Sequence, residues 1–230
     1  TFQDDLNKLH EWSRKWSMQF NENKCKIMHF GKRNMQCKFK LGNTVLQVTE
    51  REKDLGVLVT SNLKAADQVA SAAAAANSML WMIRKSFTCL NETTFPALYK
   101  TLVRPRMEHA VQAWSPHLKK DIARLERVQR RGTKLVPSLA NLTYQEGLQK
   151  LDLPTLEDRR HRGDMIETFK ILKGIDKIEA NFLEIDANSR TRGNSLRLRK
   201  KQHRTHQRLM FFSSRVVNEW NKLPDWVVQA

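Results

Sequence analysis

Residues 12–31 read W-S-R-K-W-S-M-Q-F-N-E-N-K-C-K-I-M-H-F-G, and within this stretch the period of the apolar residues changes. Trp12 and Trp16 are four apart and continue the upstream series Phe2, Leu6, Leu9. That is helical spacing with one face expected to be buried, over Phe2 to Trp16. From Met18 to Phe30 the pattern becomes alternation around Cys25, Ile27 and Phe30, which reads as a strand. Asn21 and Lys24 stand at the junction as N-x-x-K. A helix that runs directly into a strand excludes both an all-helical and an all-strand chain.

Working outward, Lys38 to Leu41 and Thr44 to Val48 flank Gly42-Asn43, a hairpin signal. Leu55 to Val59 is a further short apolar strand after a charged turn over Glu50 to Asp54. Residues 1–62 are therefore expected to be a helix followed by short antiparallel strands, too few to be comfortable alone. Beyond Leu63 the strand signals stop. Asp67 to Phe87 reads as one alanine-rich helix. Thr93 to Val111 reads as a second, kinked or ended within Thr101 to Pro105. His117 to Val136 is a third, with the apolar stripe Leu118, Ile122, Leu125, Val128, Leu135 and Val136. Lys120, Arg124, Arg127, Arg131 and Lys134 recur on roughly its opposite face, and Pro137 stops it. Thr143 and Glu146 form a capping box for a short helix to Leu151. Another helix starts at Leu153-Pro154-Thr155, carries the basic cluster Arg159, Arg160, His161 and Arg162, runs to Leu172 and ends at Gly174. After a polar break over 188–193, the tail is rich in Arg and Lys around an apolar face of Phe211, Phe212, Val216, Val217 and Trp220. Thr1 starts inside a helical pattern and Ala230 follows an amphipathic run, so both ends read as cut.

The composition narrows the function. An apolar fraction of 40% over 230 residues supports a folded core and excludes wholesale disorder. A net charge of +17 with a pI of about 10.1 points to a polyanionic partner, nucleic acid first. Three cysteines, Cys25, Cys37 and Cys89, with no C-x-x-C fit neither a disulfide framework nor a zinc ribbon and suit a reducing compartment. Cys25 and His29 lack zinc-finger spacing and read as a buried thiol and a surface histidine. Val69 to Ile83, the most apolar window, is about one turn short of a membrane span.

Nine segments in order resemble the reverse transcriptases of non-LTR (LINE-type) retrotransposons, closest to the chicken-repeat-1 and jockey-like group. They are L-N-K-L-H-E-W (6–12), F-N-x-N-K-C-K-x-M-H-F-G (20–31), E-K-D-L-G-V (52–57), L-Y-K-T-L-V-R-P (98–105), A-V-Q-A-W-S-P (110–116), E-R-V-Q-R-R (126–131), R-R-x-R-G-D-M-I-E (159–167), S-R-T-R-G (189–193) and F-F-S-x-R-V-V-N-E-W-N-x-L-P (211–224). The resemblance implies an α+β, mostly α chain with a small antiparallel remnant of a polymerase palm over 1–62. A helical thumb over 63–138 and a basic helical C-terminal region over 139–230 would follow. It implies that the catalytic carboxylates, which bind Mg²⁺ in the whole polymerase, lie upstream of Thr1. Asp4 and Asp5 do not replace them, since a lone D-D pair is ordinary helix N-terminal charge. The chain is thus expected to need no cofactor of its own and to be inactive alone, a fragment of an RNA-directed DNA polymerase.

The resemblance also assigns residues. Lys24 matches the lysine that protonates pyrophosphate in the family, with Lys26 on the same strand face as the alternative. Leu55, Gly56 and Val57 match the primer grip, or form an ordinary small hairpin. Relatives carry lysines where this chain has Ala72 to Ala76, so that helix is either decayed or packed inside. Nucleic-acid contacts are expected from Lys120, Arg124, Arg127, Arg131 and Lys134, and in the tail from Arg197, Arg199, Lys200, Lys201 and Arg204. The tail, with weaker periodicity, is expected to be less ordered. Tyr99 and Trp114 are possible stacking groups but better core residues. The expected partner is RNA, RNA–DNA hybrid or DNA, bound without base readout in the nucleus and cytoplasm and not at a membrane. The alternatives are a piece of an active reverse transcriptase and a relic or helical adaptor with no nucleic-acid role.

Overall fold

The computed structural model describes residues 1–31, 33–178, 182–186 and 193–230, as an α+β chain that is mostly helical. It divides into two compact units, Thr1–Lys64 and Ala65–Ala230. The regions 63–138 and 139–230 of the sequence reading fall almost wholly within the second.

In the first unit, helix α1 spans Phe2–Lys15. Thr1 lies outside the helix as its N-cap, in a capping box with Asp4, where the sequence pattern placed it inside. After a short 3₁₀ turn, Glu22–Lys24, come strands β1 (Lys26–Ile27), β2 (Lys40–Leu41), β3 (Thr44–Val45), β4 (Gln47–Val48), β5 (Arg51–Asp54) and β6 (Val57–Thr60). They form three separate two-stranded ladders. β2 and β3 make the expected hairpin around Gly42, at φ 59°, but the second strand, expected over Thr44 to Val48, is divided, and Gln47–Val48 leaves it as β4. β1 and β4 pair in parallel, Ile27 opposite Val48, against the expectation of antiparallel pairing throughout. The last ladder corrects the reading of 50–59. Arg51–Asp54 is a strand paired with Val57–Thr60, and Leu55-Gly56 is the turn. Both turn residues have positive φ, 44° and 89°, the backbone whose twist matches a two-residue hairpin.

A small apolar core of Ile27, Leu41 and Leu46, with Leu6 and Phe39 against it, holds this unit. The side-chain amide of Gln3 acts as a strand partner: its Nε2 donates to the Lys40 carbonyl and its Oε1 accepts from the Lys40 N–H, both at 2.9 Å. The expected buried face of α1 is mostly open. Phe2, Leu9, Trp12 and Trp16 are exposed, and Leu6 alone of that row reaches the core. Three minimal ladders present too little apolar surface to cover a helix of this length.

In the second unit the helices are α2 (Ala66–Ser86), α3 (Thr94–Leu98), α4 (Arg104–Glu108), α5 (Val111–Trp114), α6 (Lys119–Thr133), α7 (Tyr144–Lys150), α8 (Leu156–Leu172), α9 (His206–Leu209), α10 (Phe212–Trp220) and α11 (Asp225–Val228). Between α3 and α4 the chain stays helical as a π segment, Tyr99–Val103, where the Arg104 N–H reaches back five residues to the Tyr99 carbonyl. Pro105 explains it: a proline ring inside a regular helix clashes with the carbonyl four residues back, and the wider turn relieves that clash. Ala72, Ala73 and Ala76 are buried on α2, so the alanine-rich run is a packed face. It packs against α6, where a Cβ on Gly132 would stand 3.1 Å from the Phe95 ring and 3.4 Å from Leu80. Thr143 with Glu146 caps α7 as the capping-box signal requires, and Thr155 with Asp158 caps α8, which begins just past the expected start at Leu153-Pro154-Thr155.

The C-terminal helices close over a second core of Leu198, Phe212, Val216, Val217, Trp220 and Val228. The irregular segment from Gly193 onward is tied down by side chains acting as backbone partners. Asn194 Nδ2 donates to the carbonyls of Trp220 and Leu223 at 3.0 and 3.2 Å. Asn221 takes the Leu198 N–H at 2.8 Å and gives its amide to the Leu198 carbonyl at 2.9 Å. Ser195 N–H donates to Asp225 at 2.8 Å. Backbone bonds of 2.8 Å pair Asp186 with Arg197 and Arg199 with Glu184. The part of the tail from Gly193 to Arg199 is thus fixed despite its weak periodicity. Arg190, Arg192 and most of the 188–193 break lie outside the described residues.

Candidate nucleic-acid interface

Helix α6 is the best-defined cationic surface. Leu125 and Val128 are fully buried, which sets its rotation. Lys120, Arg124, Arg127, Arg131 and Lys134 are then all exposed on the other side. The two acids of the helix do not neutralise them. Asp121 is buried. Glu126 accepts from the Tyr144 hydroxyl at 2.5 Å and from the Glu157 N–H at 3.0 Å.

The row is not uniform. Arg131 Nη1 donates to Asn77 at 2.9 Å, which ties it to α2. Lys134 Nζ closes the turn beyond α6 by donating to the carbonyls of Leu139, Ala140 and Leu142, at 2.7 Å for Ala140. Among the described residues, the side chains of Lys120, Arg124 and Arg127 make no hydrogen bond or ion pair. These three remain to meet an anion, and the C-terminal end of the row is structural.

Several of the cations are put to other uses. The expected cluster 159–162 is divided by the turn of α8. Arg159 grips Glu108 through Nε at 2.5 Å and Nη2 at 2.9 Å. Arg160 is 6% exposed, with Nη2 buried and without a hydrogen-bond partner among the described residues. Burial lowers its pKa, and the carboxylates of Glu126, Glu157, Glu108 and Asp164 oppose that. His161 and Arg162 alone of the four are exposed. In the tail, Arg215 is drawn inward onto Asp164. Lys201 pairs with Glu184 at 2.5 Å and Lys222 with Glu219 at 2.7 Å. Arg197 is half-buried, while Arg199, Lys200 and Arg204 are exposed.

A buried polar hub that the sequence did not announce lies behind α6. Gln129 is 1% exposed. Its Oε1 accepts from the Tyr99 hydroxyl at 2.8 Å; its Nε2 donates to the Tyr144 hydroxyl at 3.1 Å and the Pro154 carbonyl at 2.9 Å. The available signal was its place: Leu125, Gln129 and Gly132 share the apolar face at i, i+4, i+7. Burial pushes the phenol of Tyr99 far above its ordinary range. Trp114 is buried and donates to the His109 carbonyl at 2.8 Å, so neither Tyr99 nor Trp114 is free to stack on a base.

Lys24 is exposed at the end of the 3₁₀ turn, one residue short of a strand, so it shares no strand face with Lys26. Lys26 is paired with Glu52 at 2.8 Å. Leu55 and Gly56 occupy the β5–β6 turn, with Leu55 89% exposed, and Val57 opens β6. Asp4 is used as a cap. Cys25, Cys37 and Cys89 are free thiols. Among the described residues no three His, Cys, Asp or Glu side chains converge as metal ligands. No helix of the described residues is long and apolar enough to cross a membrane. Comparison with family models, curated proteins and solved structures returns no match.

Proposed function

We propose that this chain is the palm end, thumb and basic C-terminal region of a LINE-type RNA-directed DNA polymerase, and that it binds RNA or RNA–DNA duplex through the phosphate backbone. The observation that carries the binding is the side of α6 where Lys120, Arg124 and Arg127 stand together, unneutralised and held outward by Leu125 and Val128. Arg199, Lys200 and Arg204 add three exposed cations from the tail. Cations on a fixed helical spacing suit the regular phosphates of a duplex, and nothing in the row reads base edges. The family assignment rests on the nine ordered segments. In a whole polymerase the same surfaces would hold template and primer, with Leu55, Gly56 and Val57 near the primer and Lys24 near the leaving pyrophosphate. The setting is nuclear and cytoplasmic. Alone, the chain is expected to extend no primer.

The test is fluorescence anisotropy of the full chain with a labelled RNA–DNA duplex over a salt series. Contact with about five to eight phosphates gives a slope of log K against log salt of roughly −4 to −7. No binding at low salt, or a flat response, refutes the reading and favours a helical adaptor or relic.

A further inference from the structure

One cluster of cations in the second unit surrounds a recess. Between the paired segments near Glu184 and Arg199 and the helices α9 and α10 lies a cleft of about 130 Å³. Pockets for cofactor-sized ligands are usually about 300–1,000 Å³, so this one suits a single planar ring or a phosphate and not a dinucleotide. Its inner wall includes Leu198, Phe211 and Val217. Ser213, Ser214 and Asn218 add hydroxyl and amide groups that make no side-chain hydrogen bond among the described residues. At the rim are Arg199, Lys200, His203 and Arg208, and Glu184, the one acid among the described lining residues, is already matched by Lys201.

Arg208 gives the cleft its particular character. Its guanidinium lies over the Phe211 ring, 5.0 Å from the centroid, and the Phe182 ring meets Phe211 at 5.7 Å. Arg208 itself is exposed. A planar cation over one aromatic ring, itself braced edge-on by a second, offers a stacking platform for a heterocycle, and nucleic-acid bases stack on arginine planes as well as on aromatic rings. A bare phosphate needs the rim but not the apolar wall, and an acidic peptide needs no platform. A nucleotide uses all three features at once.

We propose that this cleft takes the base of one unpaired nucleotide of a single-stranded RNA or DNA, with the phosphate left at the rim. The phosphate would meet Arg199, Lys200 and His203; the base would stack on Arg208, with its edge toward Ser213, Ser214 and Asn218. The inference rests on the nucleic-acid reading above and narrows it: duplex lies along α6, and Arg199 and Lys200, counted there with the duplex surface, serve the unpaired strand that enters the cleft.

The test uses the full chain, a labelled single-stranded RNA of about eight nucleotides, its DNA counterpart, and a blunt RNA–DNA duplex. Arg208→Lys/Asn218→Ala changes two exposed side chains and keeps the rim charge while removing the planar guanidinium, and circular dichroism checks that the fold is retained. The double variant should weaken single-strand binding by about tenfold, the size of one lost stacking contact, and duplex binding by less than about twofold. Lys120→Gln/Arg124→Gln/Arg127→Gln should do the reverse. RNA and DNA strands losing affinity alike supports an unpaired base as the ligand, and loss for one alone supports that strand as the source. Equal loss for single strand and duplex, or no loss for either, overturns the proposal. So does polyglutamate displacing the single strand as well as unlabelled strand does. A parent that binds duplex but no single strand overturns this inference and leaves the broader reading standing; a parent that binds neither removes both.

Discussion

Arg215 on α10 holds Asp164 on α8 with two guanidinium nitrogens, Nε and Nη2, each 2.8 Å from a carboxylate oxygen. Nη2 also donates to the Gln112 carbonyl at 3.0 Å, so one side chain joins three helical segments. Both partners are largely buried, at 15% and 9% side-chain exposure. Removing one member of such a pair leaves a charge without its partner in a poorly solvated place, at a cost of about 3–5 kcal/mol. Asp164→Ala should lower stability to denaturant by about that amount. Asp164→Leu combined with Arg215→Met should recover much of the loss, because two apolar groups leave no orphan charge. A double variant as unstable as the single one would contradict this.

The α6 row should separate binding from stability. Lys120→Gln/Arg124→Gln/Arg127→Gln removes three exposed charges with no partner among the described residues. Duplex affinity should fall for every sequence, and the salt slope should shrink by about one for each lost phosphate contact. The unfolding free energy should move by no more than about 0.5 kcal/mol for each replacement. Arg131→Gln loses the bond to Asn77 and should give the smaller effect on binding. The salt series and a urea melt on the same preparations decide it.

Alkaline pH should unfold the chain before it ionises the tyrosines in the native state. Burial raises both phenols, Tyr99 and Tyr144, and the hydrogen bond from Tyr144 to Glu126 raises the second further. A folded pKa above the unfolded value of 10.0 means that the native state keeps its protons longer. Their contribution is therefore full below about pH 10 and is lost above it, at about 1.4 kcal/mol per pH unit for Tyr99. Absorbance of tyrosinate should rise together with loss of helical circular dichroism. Ionisation at pH 10 with the helices intact would refute it.

Two glycines with positive φ should respond differently to alanine. At Gly42, φ 59°, an added Cβ would stand 2.5 Å from Glu22 Oε1 and 2.7 Å from His10 Nε2. The Glu22 side chain, which accepts from Thr44, would have to move. At Gly31, φ 87°, nothing lies within 4 Å. Gly31→Ala should cost about 1–2 kcal/mol of backbone strain alone, and Gly42→Ala should cost clearly more. Hydrogen exchange of the Leu41 and Thr44 amides reads the difference locally.

What was legible in the chain follows from how local each signal is. The Thr143–Glu146 capping box, the turn of the Gly42 hairpin, α2 and α7 are set by residues within a turn of one another, and they stand within a residue or two of their expected places. The uses of individual charges were not legible. Arg159 and Arg215 look like their exposed neighbours in sequence, but their carboxylates, Glu108 and Asp164, are 51 residues away. The β5 strand was hidden because Arg51–Asp54 is all charged, and only its pairing with Val57–Thr60 reveals it. The cleft around Arg208 needs segments from Phe182 to Asn218 brought together, which no periodicity encodes.

Phe95, Tyr99, Val103 and Met107 are all 0–1% exposed, and they repeat every four residues without a break. On a regular α-helix a four-residue step advances about 400°, so such a row would drift about 40° at each step and leave the core by the fourth member. The π segment Tyr99–Val103 slows the winding and keeps the row straight. The added backbone width is thus a phase correction as well as a detour around Pro105. Deleting Lys100 or Thr101 would turn everything downstream by about 100°, swing Met107 out of the interior and bring a polar neighbour in. The spacing of four, longer than the helical period, is the mark of that bulge in the bare sequence.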